Sequence, residues 1–410
     1  MTFDRVRAAF SLRRNLTSLF VPPAGHLRPL DGLRALSVLW VVVFHTGWFA
    51  RFALTPENWL RFVFNPWMLP IWRGDFGVDL FFVLSGFLIA GMLQDERVRT
   101  GHVALGLFYL RRLMRLWPAL LVAVCLTLLS EDPNRSRVWA NALYLNDFMP
   151  VGLVPLGWTW SLAIEEQFYL VCPWILRAAA SLGTAGRVAV VGGCMLALTL
   201  VAVGVVVAYD VRPWDAEILG SPNMLRWGQV FDVFYDKPWM RAGALLAGVM
   251  GAILYREPRV MSALAGAGWI VGPLVGLALL TMALATHWPL IVGSSRIVEI
   301  AYLATFRTVF ASAAAFIVLV TLSAHPIGRL LAKPLSSRVL YPFSQLAYSA
   351  YLLNPMVTVF HEMRMTAQVA HGEEPMHIFA PVTVVSTFVC AAILHVFVER
   401  PVMQLRPGRS

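Results

Sequence analysis

Apolar runs of about 20 residues, separated by short polar stretches, recur along nearly the whole chain. A run of that length matches a bilayer core of roughly 30 Å. The pattern predicts about ten spanning helices, near 31–49, 77–94, 113–130, 160–177, 188–209, 239–255, 265–286, 301–323, 340–360 and 379–398. The expected fold class is therefore all-α, a polytopic integral membrane protein with no separate soluble domain. Its expected parts are a basic N-terminal segment over 1–29, a transmembrane domain over 30–400 and a short tail over 401–410.

An even number of spans puts both termini on one side. With the N-terminus inside, inner segments carry about 20 Lys and Arg and outer ones about 12, leaving Arg34 aside. The positive-inside rule then makes both termini cytoplasmic. The longer outer loops, 50–76, 131–158 and 210–238, are rich in Trp, Pro and Asn. The last of them has room for a re-entrant or interfacial helix, which protein or water must shelter. Trp48, Trp72, Trp158, Trp160 and Trp239 are expected in the aromatic belts. The first twenty residues lack the compact apolar core and cleavage site of a signal peptide. With Arg5, Arg7, Arg13 and Arg14 they suit either an amphipathic membrane-surface segment or a disordered basic tail.

Composition sharpens this picture. Only 14% of residues are charged, against roughly 25% in an ordinary soluble domain. The formal net charge is +10. In a polytopic chain such an excess reports orientation and contact with anionic membrane lipid. No nucleic-acid motif accompanies it, so nucleic acid is not an expected partner. Arginine supplies all the basic residues except Lys237 and Lys333, the skew of a GC-rich genome. Cys125, Cys172, Cys194 and Cys390 all lie in apolar runs, with no CxxC pair. They predict neither a disulfide framework nor a metal site.

Ionisable residues inside apolar runs are costly and mark candidate chemistry. Arg34 and His45 bound the first span, eleven residues apart. On a helix they fall within roughly 20° of one face and about 16 Å apart. Asp31 is placed to cap the helix or to pair with Arg34. Asp75 and Asp79 are four apart at the start of the second span, and Asp79 enters an apolar run, where it needs a partner or a proton. Ser85-Gly86 lies deeper and reads as close helix packing. Arg112 and Arg115 share a face in "FYLRRLMRLWP", either as inner-face anchors or as a fork for an anion. In "WTWSLAIEEQFYL", Ser161 and Glu165 share a face while Glu166 points about 100° away. Later spans add Arg241, Glu299, Arg307, and Tyr348, Tyr351 and Asn354 of "AYSAYLLNP". The ending "VERP" offers an ion pair between Glu399 and Arg400. By expected depth, Arg34, Arg112 and Arg115 group near the inner face, and His45, Asp79, Glu165 and Glu166 in the outer half. A neutral histidine suits proton removal from a hydroxyl, and a carboxylate can orient it.

These pieces resemble the membrane acyltransferase-3 family. "LDGLRALSVLWVVVFH", "GVDLFFVLSGFLI", "FYLRRLMRLWP", "WTWSLAIEEQFYL", "AYSAYLLNP" and "VERP" stand in the family's order and cover nearly the whole chain. The resemblance implies a multi-pass enzyme of the bacterial inner membrane. It would move a short acyl group, acetyl or succinyl, from cytoplasmic acyl-CoA to a hydroxyl of a cell-envelope glycolipid or polysaccharide. It also implies a donor substrate rather than a resident cofactor, and leaves room for envelope-biosynthesis partner proteins. By motif, Arg34, Arg112 and Arg115 hold the donor, and His45, Glu165 and Asp79 carry the chemistry. Asp79 or Glu165 is expected to orient His45, and the reaction runs either by direct transfer or through an acyl-histidine. Ser161, Glu166, Arg241, Tyr348 and Asn354 are left for acceptor contact or support. Many relatives have a histidine where this chain has Asn354, which cannot titrate. Two other readings stand beside this one: acylation of a small metabolite such as a macrolide, and a transporter or flippase of a lipid-linked or small anionic solute.

Overall fold

A computed structural model describes residues 3–23, 26–50, 65, 67, 69–215, 224–287, 291–369 and 376–407. Most of the expected outer loop 50–76 and part of 210–238 lie outside the described residues. In a bilayer a chain must satisfy its own backbone groups, and within apolar runs of this length the helix does so locally. The α-helices of six or more residues are α1 (Phe3–Ala9), α2 (Leu12–Phe20), α3 (Arg28–Ala50), α4 (Phe76–Thr100), α5 (Leu105–Leu129), α6 (Trp160–Ala178) and α7 (Thr184–Ala208). They continue as α8 (Met224–Val230), α9 (Pro238–Tyr255), α10 (Pro258–Gly266), α11 (Val271–Thr286) and α12 (Arg296–Leu322). Last come α13 (Pro326–Leu335), α14 (Leu340–Val369), α15 (Met376–Leu394) and α16 (Arg400–Leu405). Single π-helical turns extend α8 over Phe231–Tyr235 and join α15 to α16 over His395–Glu399.

Eight helices among the described residues are long and apolar enough to cross a membrane. The remaining two expected spans exist as α6 and as the first part of α14, but they are more polar. α6 carries Glu165, Glu166 and Arg177, and α14 carries Ser344, Gln345, Ser349 and Asn354. Except for Arg177, which is exposed near the end of α6, these polar groups are buried or half-buried, which the bundle can shelter and lipid cannot.

At the centre α3 packs on α14, and α4 packs on α9. The α4–α9 seam depends on two glycines. A Cβ at Gly86 would strike the backbone carbonyl of Leu245, and one at Gly248 that of Val83. Small residues there let the two backbones approach, as helix association in lipid favours. α4 stops at Gly101, which takes φ +77° and returns its N–H to the Arg97 carbonyl.

The N-terminal segment is helical and docked. Buried Asn15 donates to the carbonyls of Ala9 (3.0 Å) and Val396 (3.2 Å) and accepts from Gln404 (2.5 Å). α1 packs on α16. Both termini therefore meet at one end of the bundle, called here the termini end. The expected interfacial helix in the 210–238 loop is α8 with its π turn, whose Phe231, Phe234 and Tyr235 are buried in the bundle.

Candidate active site

Three neighbouring cavities, each sharing lining residues with the next, follow one another inside the bundle. The first, about 930 Å³, opens at the termini end beside His26, Met403 and Pro407. Seven arginines line it (Arg34, Arg99, Arg111, Arg112, Arg115, Arg256 and Arg406) against three carboxylates, Asp31, Asp95 and Glu96. Asp31 is shared among His26 (2.7 Å), Ser344 (3.0 Å) and Arg34 (3.8 Å), and Asp95 binds Arg256 at 2.6 Å. The arginines lining this cavity thus outnumber its carboxylates seven to three. Burial, and then the charges of Arg115, Arg112, Arg400 and Arg111, lower the Arg406 guanidinium to about 10. Such crowding is relieved by a multiply charged anion.

The second cavity, about 140 Å³, shares Arg34, Leu88, Arg112 and Arg115 with the first. Here Glu165 accepts from both Ser85 and Tyr169, and the Arg112 guanidinium stacks on the Tyr169 ring at 4.6 Å. Tyr348 donates to the Leu116 carbonyl at 2.6 Å. Ser161 bonds the Tyr351 hydroxyl. The Nε of Arg115 is buried without a hydrogen-bond partner among the described residues. Glu399, expected to pair with Arg400, lines this cavity and instead accepts from Ser349 (2.8 Å) and bonds His395 (2.9 Å).

The third cavity, also about 140 Å³, holds His45 and Asp75. Its walls are aromatic, with Phe44, Trp48, Trp158, Trp160, Trp227, Phe231 and Tyr235. Trp48 and Trp227 lie 5.3 Å apart. Trp72 and Trp160 are buried, so these tryptophans pack into the protein rather than forming a lipid belt as expected. The loops over this end are tied together by Asp232, which accepts from Val151 N–H at 2.7 Å, and by Lys237, which bonds Asp236 (2.8 Å) and the Asp147 carbonyl. Burial pushes the Asp236 carboxyl up to about 7 despite Lys237 beside it.

The orienting partner of His45 differs from the expectation. Nδ1 lies 2.8 Å from Asn354 Oδ1. The Asn354 amide donates to the hydroxyls of Thr358 (3.3 Å) and Thr387 (3.4 Å). Thr358 spends its own proton on the Asn354 carbonyl at 2.8 Å, so the amide nitrogen must face the hydroxyls and the oxygen must face the imidazole. That oxygen can only accept. The imidazole proton is therefore assigned to Nδ1, leaving Nε2 with its lone pair.

Asp79 is corrected most. It is fully buried and lines neither small cavity. It bonds both Arg241 (3.1 Å) and Arg307 (2.5 Å), and Arg307 also reaches Asp75 at 2.6 Å, which in turn holds Arg73 at 2.9 Å. Aromatic faces complete this cluster: Arg241 lies 4.1 Å from the Tyr235 ring centre and 4.6 Å from Trp160. A carboxylate committed to two buried arginines is a structural hub, and Arg241 belongs to the same hub. Glu165 is displaced as well, sitting with the arginines rather than with His45. Glu166 lines none of the three cavities, and its Oε1 is buried without a partner among the described residues. Sequence reasoning named Asp75 and Ser85 without giving them a place in the site, and missed Tyr169 and Arg406 as lining residues.

The chain matches the Acyl_transf_3 family, described as an acyltransferase domain, over residues 28–396. It belongs to that family. It is 37% identical over 165 residues to the Staphylococcus aureus (strain COL) protein named "Putative O-acetyltransferase SACOL0978", covering 36% of this chain and 24% of that protein. It is 34% identical over 172 residues to O-acetyltransferase OatA of Staphylococcus aureus (strain NCTC 8325 / PS 47), covering 37% of this chain and 25% of OatA. The matches thus span about a quarter of the length of these curated relatives. No solved structure matches.

Proposed function

We propose that this membrane protein is an O-acyltransferase that moves a short acyl group from acyl-CoA to a hydroxyl of an envelope sugar. The observation that carries the reading is the line of cavities, basic at the termini end and ending at His45, whose Nε2 has no hydrogen-bond partner among the described residues. Arg34, Arg112 and Arg115, with Arg406 beside them, hold the donor's phosphates. The pantetheine arm lies in the second cavity, between Leu88, Leu116 and the Glu165–Ser85–Tyr169 group. A space of about 140 Å³ suits acetyl or succinyl rather than a long chain. The termini end is then cytoplasmic, in a bacterial inner membrane.

At the far end, His45 Nε2 takes the acceptor hydroxyl proton. The hydroxyl oxygen attacks the thioester carbonyl, the C–S bond breaks, and the departing thiolate recovers the proton. Asn354 keeps the imidazole in the tautomer this step requires. Trp48, Trp158 and Trp227 present flat faces for a sugar ring. The names of the relatives point to O-acetyl transfer, which fits the small chamber.

Donor binding tests the arginine assignment. Purified Arg115→Ala should bind CoA about tenfold more weakly than the wild-type protein, the loss of one charge-assisted contact. Equal affinity by titration calorimetry would reduce Arg115 to a membrane anchor.

A further inference from the structure

Among the described residues, the second and third cavities share two lining residues, Val78 and Tyr351. Both are 6% exposed. Tyr351 is clasped from two sides: its hydroxyl donates to the Trp158 carbonyl at 2.5 Å and takes the hydroxyl of Ser161. Trp158 closes the clasp by donating its indole N–H to the Leu352 carbonyl at 3.1 Å. A tyrosine ring held by its far end is a stiff plate, and this one stands across the route between Glu165 and His45. In the acyl-transfer reading, on which this inference rests, the donor thioester waits on one side and the acceptor enters from the other. Water entering from the acceptor side competes with the acceptor. It would give the free acid as its oxygen bonds the carbonyl carbon, the C–S bond breaks and sulfur takes the proton.

We infer that Tyr351, backed by Val78, is a specificity-determining partition: it shuts the donor chamber from water on the acceptor side and yields only when the donor arm fills that chamber. The Ser161 and Trp158 contacts set its closed position. The role of Tyr351 is to decide between acceptor and water, not to take part in bond making.

The test is chemical access. Leu162 lines the donor chamber and not the His45 chamber, so Leu162→Cys is introduced into a form lacking Cys125, Cys172, Cys194 and Cys390. Vesicles are oriented by protease access to a terminal tag. A membrane-impermeant maleimide is then added on the face opposite the termini. The cysteine should stay unlabelled when Tyr351 is present and react at least about tenfold faster in Tyr351→Ala. Val78→Ala, a milder change on the other side of the gap, should give a smaller increase in the same direction. Independently, Tyr351→Ala should raise thioester hydrolysis relative to transfer, whereas a merely structural defect lowers both together. Equal labelling with and without Tyr351 and Val78 would overturn the partition. Labelling needs no turnover, so a clear labelling difference in a protein that consumes no acyl-CoA would sink the transfer reading and leave the partition standing.

Discussion

The pair that bounds α3 was legible one residue at a time. Eleven residues of helix put Arg34 and His45 on one face, and the structure has both lining the interior route. The partner of His45 was not legible, because Asn354 lies 309 residues away and periodicity carries no information across that distance. For Asp79, the sequence showed that a buried carboxylate needs a partner but not which one. Arg241 and Arg307 satisfy it from 162 and 228 residues away, and it lines neither of the small cavities. Asn354 should therefore matter more than Asp79 to the proton transfer. Asn354→Leu removes the acceptor for the Nδ1 proton and should lower kcat about a hundredfold with little change in donor KM. Asn354→Asp, which keeps an oxygen in place, should restore most of the rate. Steady-state kinetics of the two variants checks this, and a wild-type kcat in Asn354→Leu would refute the assignment of the tautomer.

At the scale of elements, the apolar pattern found the eight helices among the described residues that are long and apolar enough to cross a membrane, but placed some ends badly, and the site suffered from those ends. The third span was expected from 113, which left Arg112 and Arg115 at the mouth. The helix starts at Leu105, two turns earlier, and its two arginines line both the cavity at the termini end and the second cavity beside Glu165. The pattern was blind here because "LGLFYL" before the arginines reads as a loop end when charge defines the boundary. Ser85-Gly86, by contrast, was read as close packing, and Gly86 does press on Leu245. Gly86→Leu should force α4 and α9 apart and destabilise the protein by about 1–3 kcal/mol or more. Its melting transition in detergent should fall, with activity lost in parallel. An unchanged transition would show that the seam tolerates a side chain.

The whole molecule places a basic mouth, a narrow chamber and an aromatic pocket in sequence along one axis. Its class, its membrane character and the meeting of its termini were all readable from hydropathy and parity of spans. The division into chambers was not, since it depends on Tyr351 and Val78 meeting from different helices. The central claim is that His45 moves an acyl group from a CoA thioester to a hydroxyl. The most direct measurement is transfer of radiolabel from acetyl-CoA into the envelope fraction of vesicles carrying either the wild-type protein or His45→Ala, at equal protein levels. Wild-type vesicles should incorporate label and release free CoA in step, and His45→Ala should do so at least about a thousandfold more slowly while still inserting. Incorporation by His45→Ala at a near wild-type rate would contradict the account.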